Sequence, residues 1–181
     1  MDNIKNISFE KEGESKSRII QKSNKEPPKK RVITNTDKWI IAEDDCTTEN
    51  QLKYLHEILS KEIQNKGQCS LLIKNINQKI QSYKQQDNIK SKYEKDLFIT
   101  FDLVVDLLIK SDIICYYCKS PIKLFYENVR EPLQWSLDRI DNDIGHNIGN
   151  IFIACLSCNL RRRTMYHERY AFTKQLKIIK I

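Results

Sequence analysis

Two Cys-x-x-Cys pairs constrain this chain more strongly than any other feature of its sequence. The first pair is Cys115 and Cys118, and the second is Cys155 and Cys158. A Cys-x-x-Cys turn lets two thiolates reach one ion, and four thiolates complete the tetrahedral shell of a structural zinc ion. Such a closed shell holds a fold together and leaves no coordination position open for catalysis. The spacing therefore predicts a structural zinc site, with uncoupled thiols or a redox pair as the alternatives.

The hydropathy of the chain bears on the state of these cysteines. No run approaches the roughly 18 consecutive apolar residues that span a bilayer, and residues 1–9 lack the apolar centre of a secretory signal. We therefore expect an intracellular protein, located in the cytoplasm or the nucleus. Because thiols stay reduced in these compartments, metal binding is favoured over disulfide formation.

The 36 residues between Cys118 and Cys155 form an insert of their own. Simple zinc ribbons separate their cysteine pairs by about 15 to 20 residues, so a folded substructure must lie between these pairs. The pattern predicts a strand, a loop, a second strand and a helix, over about 134–140, 142–150, 151–154 and 158–177. In the first strand, Trp135 and Leu137 lie on one side and Asp138 lies on the other.

Three segments of different composition are expected along the whole chain. They are a disordered basic tail, a helical region and a zinc-stabilised module, over 1–45, 46–97 and 98–181. Thr48 begins a capping-box pattern for a helix over about 49–65. A second helical pattern starts near Ser70 and fades by about residue 86. Thr100 is the predicted N-cap of a third helix, which leads into the first cysteine pair.

The net charge of +7 is unevenly distributed. Residues 159–181 contain seven basic residues against one acid, Glu168. A basic face on one element is typical of a surface that binds nucleic acid, although the same composition also suits a solvated, lysine-rich helix. Because this segment adjoins the cysteine-bounded insert, we favour a polyanion as its partner.

Taken together, the motifs of the insert resemble those of the HNH endonucleases. Between and after the cysteine pairs, the matching residues are Leu137 to Asn142, Gly145, His146, Asn150 and Asn159. The resemblance covers about residues 98–170 and is to the zinc-stabilised, four-cysteine branch found in phages and large DNA viruses. It implies an α+β protein with a ββα-metal module pinned by a four-cysteine zinc site. About three helices and the disordered N-terminal tail would precede this module.

The resemblance also implies roles for individual residues. Asp138 and Asn159 would hold a catalytic Mg²⁺ or Mn²⁺ ion, since such hard ions prefer oxygen ligands. The ion would stabilise charge on the scissile phosphate, and Asn150 would orient the loop by hydrogen bonds. The alternative is that Asp138 merely ends a strand and Asn159 merely caps a helix.

Arg139 is where the chain departs from the family pattern, which places here the histidine that takes a proton from the attacking water. An arginine stays protonated in proteins and cannot act as that base. Three interpretations follow. Arg139 binds a phosphate while another group activates the water, or the water is deprotonated by solvent or by the metal alone. In the third, the site is inactive. His146 is the nearest imidazole in the sequence and is a candidate catalytic residue, with a structural hydrogen-bonding role as the favoured alternative.

Nucleic acid, and DNA in particular, is the expected partner. Arg161, Arg162 and Arg163 follow Asn159 within one turn of the predicted helix, and His167 lies two turns on. We expect the arginines to donate paired hydrogen bonds to phosphate, and His167 to contact phosphate or to pack. The leading hypothesis is a metal-dependent DNA endonuclease. The alternatives are a catalytically inactive, zinc-stabilised nucleic-acid-binding protein and, more weakly, a structural component of an RNA–protein assembly.

Overall fold

The computed structural model describes residues 41–176 of the chain and shows an α+β fold. The tail predicted over 1–45 lies outside the described residues, apart from its last few. Within the described range, five α-helices accompany a two-stranded antiparallel sheet. The helices are α1 (Thr48–Ser60), α2 (Lys66–Ile89), α3 (Phe101–Lys110), α4 (Leu156–Arg162) and α5 (His167–Gln175), and the strands are β1 (Trp135–Arg139) and β2 (Ile151–Cys155). Three helices precede the hairpin, as predicted, and no helix between residues 41 and 176 has both the length and the apolar character needed to cross a membrane.

Helix α1 is displaced from the position that its sequence pattern predicts. Thr47, not Thr48, is the N-cap, because its hydroxyl oxygen accepts a hydrogen bond from the backbone N–H of Asn50 at 3.3 Å. The helix ends at Ser60 rather than at residue 65. It ends there because Lys61 adopts a left-handed conformation, with φ of 64°.

Glu57 holds the short connection between α1 and α2. Its carboxylate accepts hydrogen bonds from the backbone N–H groups of Gln64 and Asn65, at 3.0 and 2.9 Å, and from the Asn65 side-chain amide at 2.6 Å. These bonds, with the Asn65 backbone N–H first among them, lower the pKa of Glu57. The connection therefore folds back on α1, and α2 begins at Lys66, four residues before the predicted start.

Helix α2 continues through the polar segment in which its sequence pattern fades. A polar stripe, defined here as Asn75, Lys79, Tyr83 and Asp87, recurs every four residues along one side of the helix. Asn75 Oδ1 accepts a hydrogen bond from the Tyr126 hydroxyl at 3.2 Å, and the Tyr83 hydroxyl accepts one from the backbone N–H of Leu137 at 3.0 Å. Because the stripe contacts the C-terminal half of the protein, its polar side chains stabilise the helix instead of ending it.

Lys79 attaches α2 to the start of β1. Its Nζ donates hydrogen bonds to Gln134 Oε1 at 3.1 Å and to the backbone carbonyl of Trp135, and it lies 4.5 Å from the centroid of the Trp135 ring. Burial lowers the pKa of Lys79 to about 7, because an ammonium group loses hydration in an enclosed position. A titratable group thus lies in the contact between the helical region and the hairpin.

One hydrophobic cluster of the described residues joins the helical region to the module. Leu55 of α1, Leu72 of α2 and Leu108 of α3 are buried in it, together with Trp135 and Leu137 of β1. The segments expected over 46–97 and 98–181 therefore share a core, and burying apolar surface between them favours their association.

Strands β1 and β2 form an antiparallel hairpin close to the predicted positions. The pairing places Trp135 opposite Cys155 and Asp138 opposite Phe152. Cys155 ends β2 and is also the N-cap of α4, since its sulfur accepts a hydrogen bond from the backbone N–H of Cys158 at 3.4 Å. The second cysteine pair therefore lies at the junction of strand and helix.

The single helix that the sequence predicts over 158–177 is divided into α4 and α5. Helix α4 ends at Arg162 because Arg163 takes φ of 53° and ψ of −115°. Arg162 Nη1 donates a hydrogen bond to the carbonyl of Met165 at 2.7 Å, and the Arg163 carbonyl accepts one from the side-chain amide of Asn142 at 3.1 Å. The first of these contacts spans three positions and the second spans 21, and together they hold a turn that the helical pattern does not indicate.

Candidate functional site

The four cysteines of the two pairs lie together and form no disulfide. The sulfur atoms of Cys115, Cys118, Cys155 and Cys158 are all within 4.8 Å of one another, and those of Cys118 and Cys155 are 3.9 Å apart. Tetrahedral zinc with bonds of about 2.3 Å places its sulfur ligands about 3.8 Å apart. The cluster therefore has the dimensions of a four-thiolate site that could hold a metal ion such as zinc.

The surroundings of Cys115 favour its thiolate form. A hydrogen bond from the Cys155 thiol lowers the pKa of Cys115, and backbone N–H groups act in the same direction. The same contact raises the pKa of Cys155, because that thiol keeps the shared proton. A cation among the sulfurs would favour ionisation of the remaining thiols, which is the form that binds metal.

Tyr117 connects the cysteine cluster to β1. It lies between Cys115 and Cys118 in the sequence and is fully buried. Its hydroxyl donates a hydrogen bond to Asp138 Oδ2 at 2.5 Å, and burial together with this bond raises the pKa of Tyr117. The first cysteine turn therefore also positions the carboxylate predicted for the catalytic site.

Arg162 forms a buried ion pair with Asp138. Its Nε donates to Asp138 Oδ2 at 2.7 Å and its Nη2 donates to Oδ1 at 3.2 Å, and the two side chains are only 1% and 6% exposed. Nη2 also donates to Asn142 Oδ1 at 3.2 Å and to the carbonyl of Arg139. This geometry corrects the expectation that Arg162 contacts phosphate, because its guanidinium group faces the interior.

A cavity of about 250 Å³ lies beside Asp138, between α2, the hairpin and α4. Four of the residues predicted to be catalytic line it: Asp138, Arg139, His146 and Asn159. They come from β1, the hairpin loop and α4, and residues of α2 form the remaining wall. The four predicted residues are up to 21 positions apart in the sequence, and Tyr83 of α2 lies 76 positions before Asn159.

Asn159 is fixed against β1 by its amide nitrogen. Nδ2 donates hydrogen bonds to the carbonyl of Leu137 at 3.0 Å and to Ser136 Oγ at 3.2 Å. Asn159 does not cap α4, since Cys155 is the N-cap. Because the nitrogen makes both bonds, the side-chain oxygen is the atom left for a ligand in the cavity.

Arg139 supports the hairpin loop from the edge of the cavity. Its Nη1 donates hydrogen bonds to the carbonyls of Asn142 and Ile144, both at 3.2 Å. These bonds give Arg139 a loop-holding role that needs no proton transfer. The guanidinium group cannot accept a proton from water, so a base for such a reaction must come from another residue or from solvent.

Asn150 orders the same loop from its other end. Its Oδ1 accepts a hydrogen bond from the backbone N–H of Asp141 at 2.8 Å, and its Nδ2 donates to the carbonyls of Asp141 and Gly145 at 3.0 and 2.9 Å. Asp141 Oδ1 in turn accepts from the backbone N–H of Asp143 at 2.8 Å. This geometry suits the loop-orienting role that the resemblance implies for Asn150.

His146 is held by Asp87, the last residue of the polar stripe. The backbone N–H of His146 donates to Asp87 Oδ2 at 2.7 Å, and the ring Nδ1 lies 2.9 and 3.0 Å from the two carboxylate oxygens. The Tyr83 ring covers the imidazole, with centroids 4.4 Å apart. Burial lowers the pKa of His146, while Asp87 acts in the opposite direction.

Gly145 allows the loop to approach α2 this closely. A Cβ atom at Gly145 would lie 2.3 Å from the carbonyl oxygen of Lys92 and 3.0 Å from Asp87 Oδ2. Any larger residue would therefore push the loop away from the helix. In the Gly-His pair of the motif, Gly145 is therefore required for the packing of the loop against α2 and the segment that follows it.

Two of the three consecutive arginines are exposed, and one of them borders the cavity. Arg163 lines it, and Arg161 is exposed on α4. His167 is placed elsewhere: it begins α5 and packs near the rings of Phe152 and Tyr116, at centroid distances of 5.3 and 6.4 Å. His167 therefore does not lie on the helix that carries the predicted metal ligand.

Three residues of the site escaped the sequence analysis: Tyr83, Asp87 and Tyr117. Tyr117 occupies a variable position of the first cysteine turn, and nothing in the motif points to its contact with a carboxylate. The two α2 residues do leave a signal, because polar side chains recurring every four residues mark one side of a helix. The signal does not show which element that side contacts.

Comparisons of the chain with protein-family models, with curated proteins and with solved structures find no match. The resemblance to HNH endonucleases therefore rests on the motif residues of the sequence alone.

Proposed function

We propose that this chain is a metal-dependent endonuclease that hydrolyses phosphodiester bonds in DNA, built on a ββα-metal module of the HNH type. The observation that supports the proposal is the convergence of Asp138, His146 and Asn159 on one cavity. The side-chain oxygens of a carboxylate and a carboxamide can bind a divalent ion, and an imidazole can act as a general base. The order of strand, strand and helix provides the framework for them.

Asp138 and Asn159 would hold the catalytic Mg²⁺ or Mn²⁺ ion through their side-chain oxygens. When bound, such an ion stabilises negative charge on the scissile phosphate and on the departing oxygen. Asp138 keeps acceptor capacity for it, since Oδ1 takes one bond from Arg162, while Oδ2 takes bonds from both Arg162 and Tyr117.

The four-cysteine cluster would hold a structural zinc ion in the same protein. The sulfur spacing fits tetrahedral coordination, and four thiolates leave no open position for substrate. Zinc would keep the first cysteine turn folded, and with it Tyr117 and the carboxylate that Tyr117 positions. Its contribution is therefore to stability and positioning.

The exposed arginines, Arg161 and Arg163, would contact the DNA backbone. Guanidinium groups pair with phosphate oxygens in a bidentate geometry. Contacts of this kind carry no sequence information, and they predict an affinity that falls steeply with salt.

Cleavage of supercoiled plasmid in Mg²⁺ or Mn²⁺ tests the proposal. We expect the wild-type chain to nick or linearise the plasmid, and Asp138→Ala and Asn159→Ala to abolish cleavage. Asp143→Ala is the matched control, because it removes a carboxylate from the hairpin loop. The Asp143 side chain is 99% exposed. Cleavage of equal rate by the wild type and both site variants would indicate a contaminant and refute the proposal.

The ion pair between Asp138 and Arg162 favours a second candidate function, that of a catalytically inactive, zinc-stabilised nucleic-acid-binding protein. The guanidinium group places a positive charge against the carboxylate and therefore opposes the binding of a divalent cation. Calorimetric titration with Mn²⁺ distinguishes the candidates. Salt-dependent DNA binding without Mn²⁺ binding or cleavage would support the second, whereas Mn²⁺ binding that is lost in Asp138→Ala would support the first.

A further inference from the structure

The proposed hydrolysis lacks a base, and the contact between His146 and Asp87 has no part in the roles of Asp138 and Asn159. We propose that His146, positioned by Asp87 of α2, is the general base that removes a proton from the attacking water. This inference rests on the proposed nuclease function and assigns the group that Arg139 cannot supply. It also gives the helical region a part in the chemistry.

Asp87 determines which nitrogen of His146 is free to act. An ionised carboxylate only accepts hydrogen bonds, so the ring nitrogen beside it, Nδ1, carries the proton of the neutral imidazole. Nε2 then carries the lone pair. A carboxylate in this position fixes the tautomer and stabilises the imidazolium that forms when Nε2 takes a proton. Asp87 is thus a positioning residue, and His146 is the catalytic one.

The imidazole is also fixed in orientation. Tyr83 covers one face of the ring at a centroid distance of 4.4 Å, and the carbonyl of His146 accepts a hydrogen bond from the backbone N–H of Ile99 at 3.1 Å. The carboxylate holds both the backbone N–H and the ring of the same residue. A base held from three sides needs little reorganisation during the reaction.

The surroundings of His146 keep its ring neutral near pH 7. Titratable or charged groups contact the ring, act on its charge or line the same cavity, and they come from α2 and its C-cap, from β1 and from the C-cap of α4: Tyr83, Asp87, Lys90, Asp138, Arg139 and Arg163. Burial is the main cause that lowers the pKa of His146 from its ordinary value of 6.5, and Arg139 and Lys90 add to the shift. Asp87 opposes the shift and so limits the loss of basicity.

The chemical step balances without a further reactant. Nε2 of His146 takes a proton from water as the water oxygen forms a bond to phosphorus. The bond between phosphorus and the 3′ oxygen breaks, and the electron pair leaves with that oxygen, which takes a proton from solvent. The imidazolium then returns its proton to solvent.

Plasmid cleavage by the full chain tests this assignment. We expect His146→Ala to lower the cleavage rate by about 10² to 10⁴, the usual effect of losing a general base. Added imidazole should restore part of the rate, because it can enter the space left by the side chain. His56→Ala is the matched control, since it removes an exposed imidazole from α1, and its rate should equal that of the wild type.

Asp87→Asn separates a positioning role from a purely structural one. Without the carboxylate, the imidazole loses the group that raises its pKa, so the midpoint of the pH–rate profile should move to lower pH and the plateau rate should fall. A purely structural role predicts a lower rate with an unchanged midpoint. That second result would overturn the role given to Asp87.

The outcomes for the two proposals are distinct. If Asp138→Ala is inactive while His146→Ala cleaves at the wild-type rate, the base assignment is overturned and the nuclease proposal stands. If the wild type shows no metal-dependent cleavage, both are overturned. If His146→Ala does not fold, nitrogen NMR of the wild-type chain decides: a neutral ring protonated on Nδ1 is expected, and a proton on Nε2 would overturn the assignment.

Discussion

Replacing Arg162 by alanine should be among the most destabilising single substitutions in this protein. The side chain is 1% exposed and donates hydrogen bonds to Asp138, to Asn142 and to the carbonyl of Met165. Removing one partner of a buried ion pair costs about 3 to 5 kcal/mol, because the other charge is left uncompensated. Within the described part of the chain, the Asp138 carboxylate would keep only the Tyr117 hydroxyl as a donor.

Urea unfolding followed by circular dichroism measures this loss. We expect the free energy of unfolding to fall by about 3 to 5 kcal/mol with an unchanged dependence on urea concentration. In thermal unfolding the same loss corresponds to roughly 6 to 20 °C. Arg161→Ala is the matched control, since that arginine is exposed in the same helix and should change stability by no more than about 0.5 kcal/mol.

A double variant tests the physical reason for the loss. Asp138→Asn in the Arg162→Ala background removes the stranded charge and should recover part of the lost stability. A loss below about 1 kcal/mol in Arg162→Ala, or no recovery in the double variant, would refute the reasoning that an uncompensated carboxylate is the cause.

Three further predictions follow from the cysteine cluster, the hairpin loop and α2. The purified chain should contain about one zinc ion, and a strong chelator should unfold it, because metal binding to thiolates contributes folding free energy. Metal analysis measures the zinc content and circular dichroism measures the folding. A metal-free chain that stays folded would contradict this prediction. Gly145→Ala should lower the free energy of unfolding, because the new methyl group would lie 2.3 Å from the Lys92 carbonyl oxygen. Gly67→Ala is the control and should not destabilise the protein, because a Cβ at Gly67 meets nothing within 4 Å. Equal urea midpoints for the two variants would contradict the predicted clash. Because the pKa of Lys79 is lowered to about 7 in the folded state, the unfolded chain binds more protons above that pH, and stability should rise as pH increases from about 7 toward 10.5. Lys79→Met should flatten this rise in urea titrations across the window, and an equal slope in both proteins would show that another group causes it.

Elements whose stabilising contacts are local were predictable from the sequence. The alternation around Trp135 indicated β1 within one residue at each end, and Thr100 caps α3 as its position predicts, accepting a hydrogen bond from the backbone N–H of Leu103 at 3.3 Å. The four-cysteine cluster was also predictable, although its two pairs are 37 positions apart, because each Cys-x-x-Cys turn supplies half of a tetrahedral metal site.

Contacts between distant positions were not predictable in the same way. Arg162 and Asp138 are 24 positions apart, and His146 and Asp87 are 59 apart. Such pairs leave no periodic pattern, and an arginine beside two others in the sequence looks like a member of a basic surface. Its burial depends on a turn at Arg163, which the side chain of Asn142, 21 positions away, helps to hold.

The polar stripe of α2 makes helical phase a condition for the site. Each residue of an α-helix advances about 1.5 Å and turns the chain by about 100°. Lys79 at the start of β1 and Asp87 at the hairpin loop are therefore set about 12 Å apart along one side of a rigid rod. One residue inserted between them would leave Lys79 in place and turn the carboxylate about 100° away from His146. Single insertions in this half of α2 are thus more disruptive to the imidazole than most substitutions on its surface, because they change the phase of the helix and not only one contact.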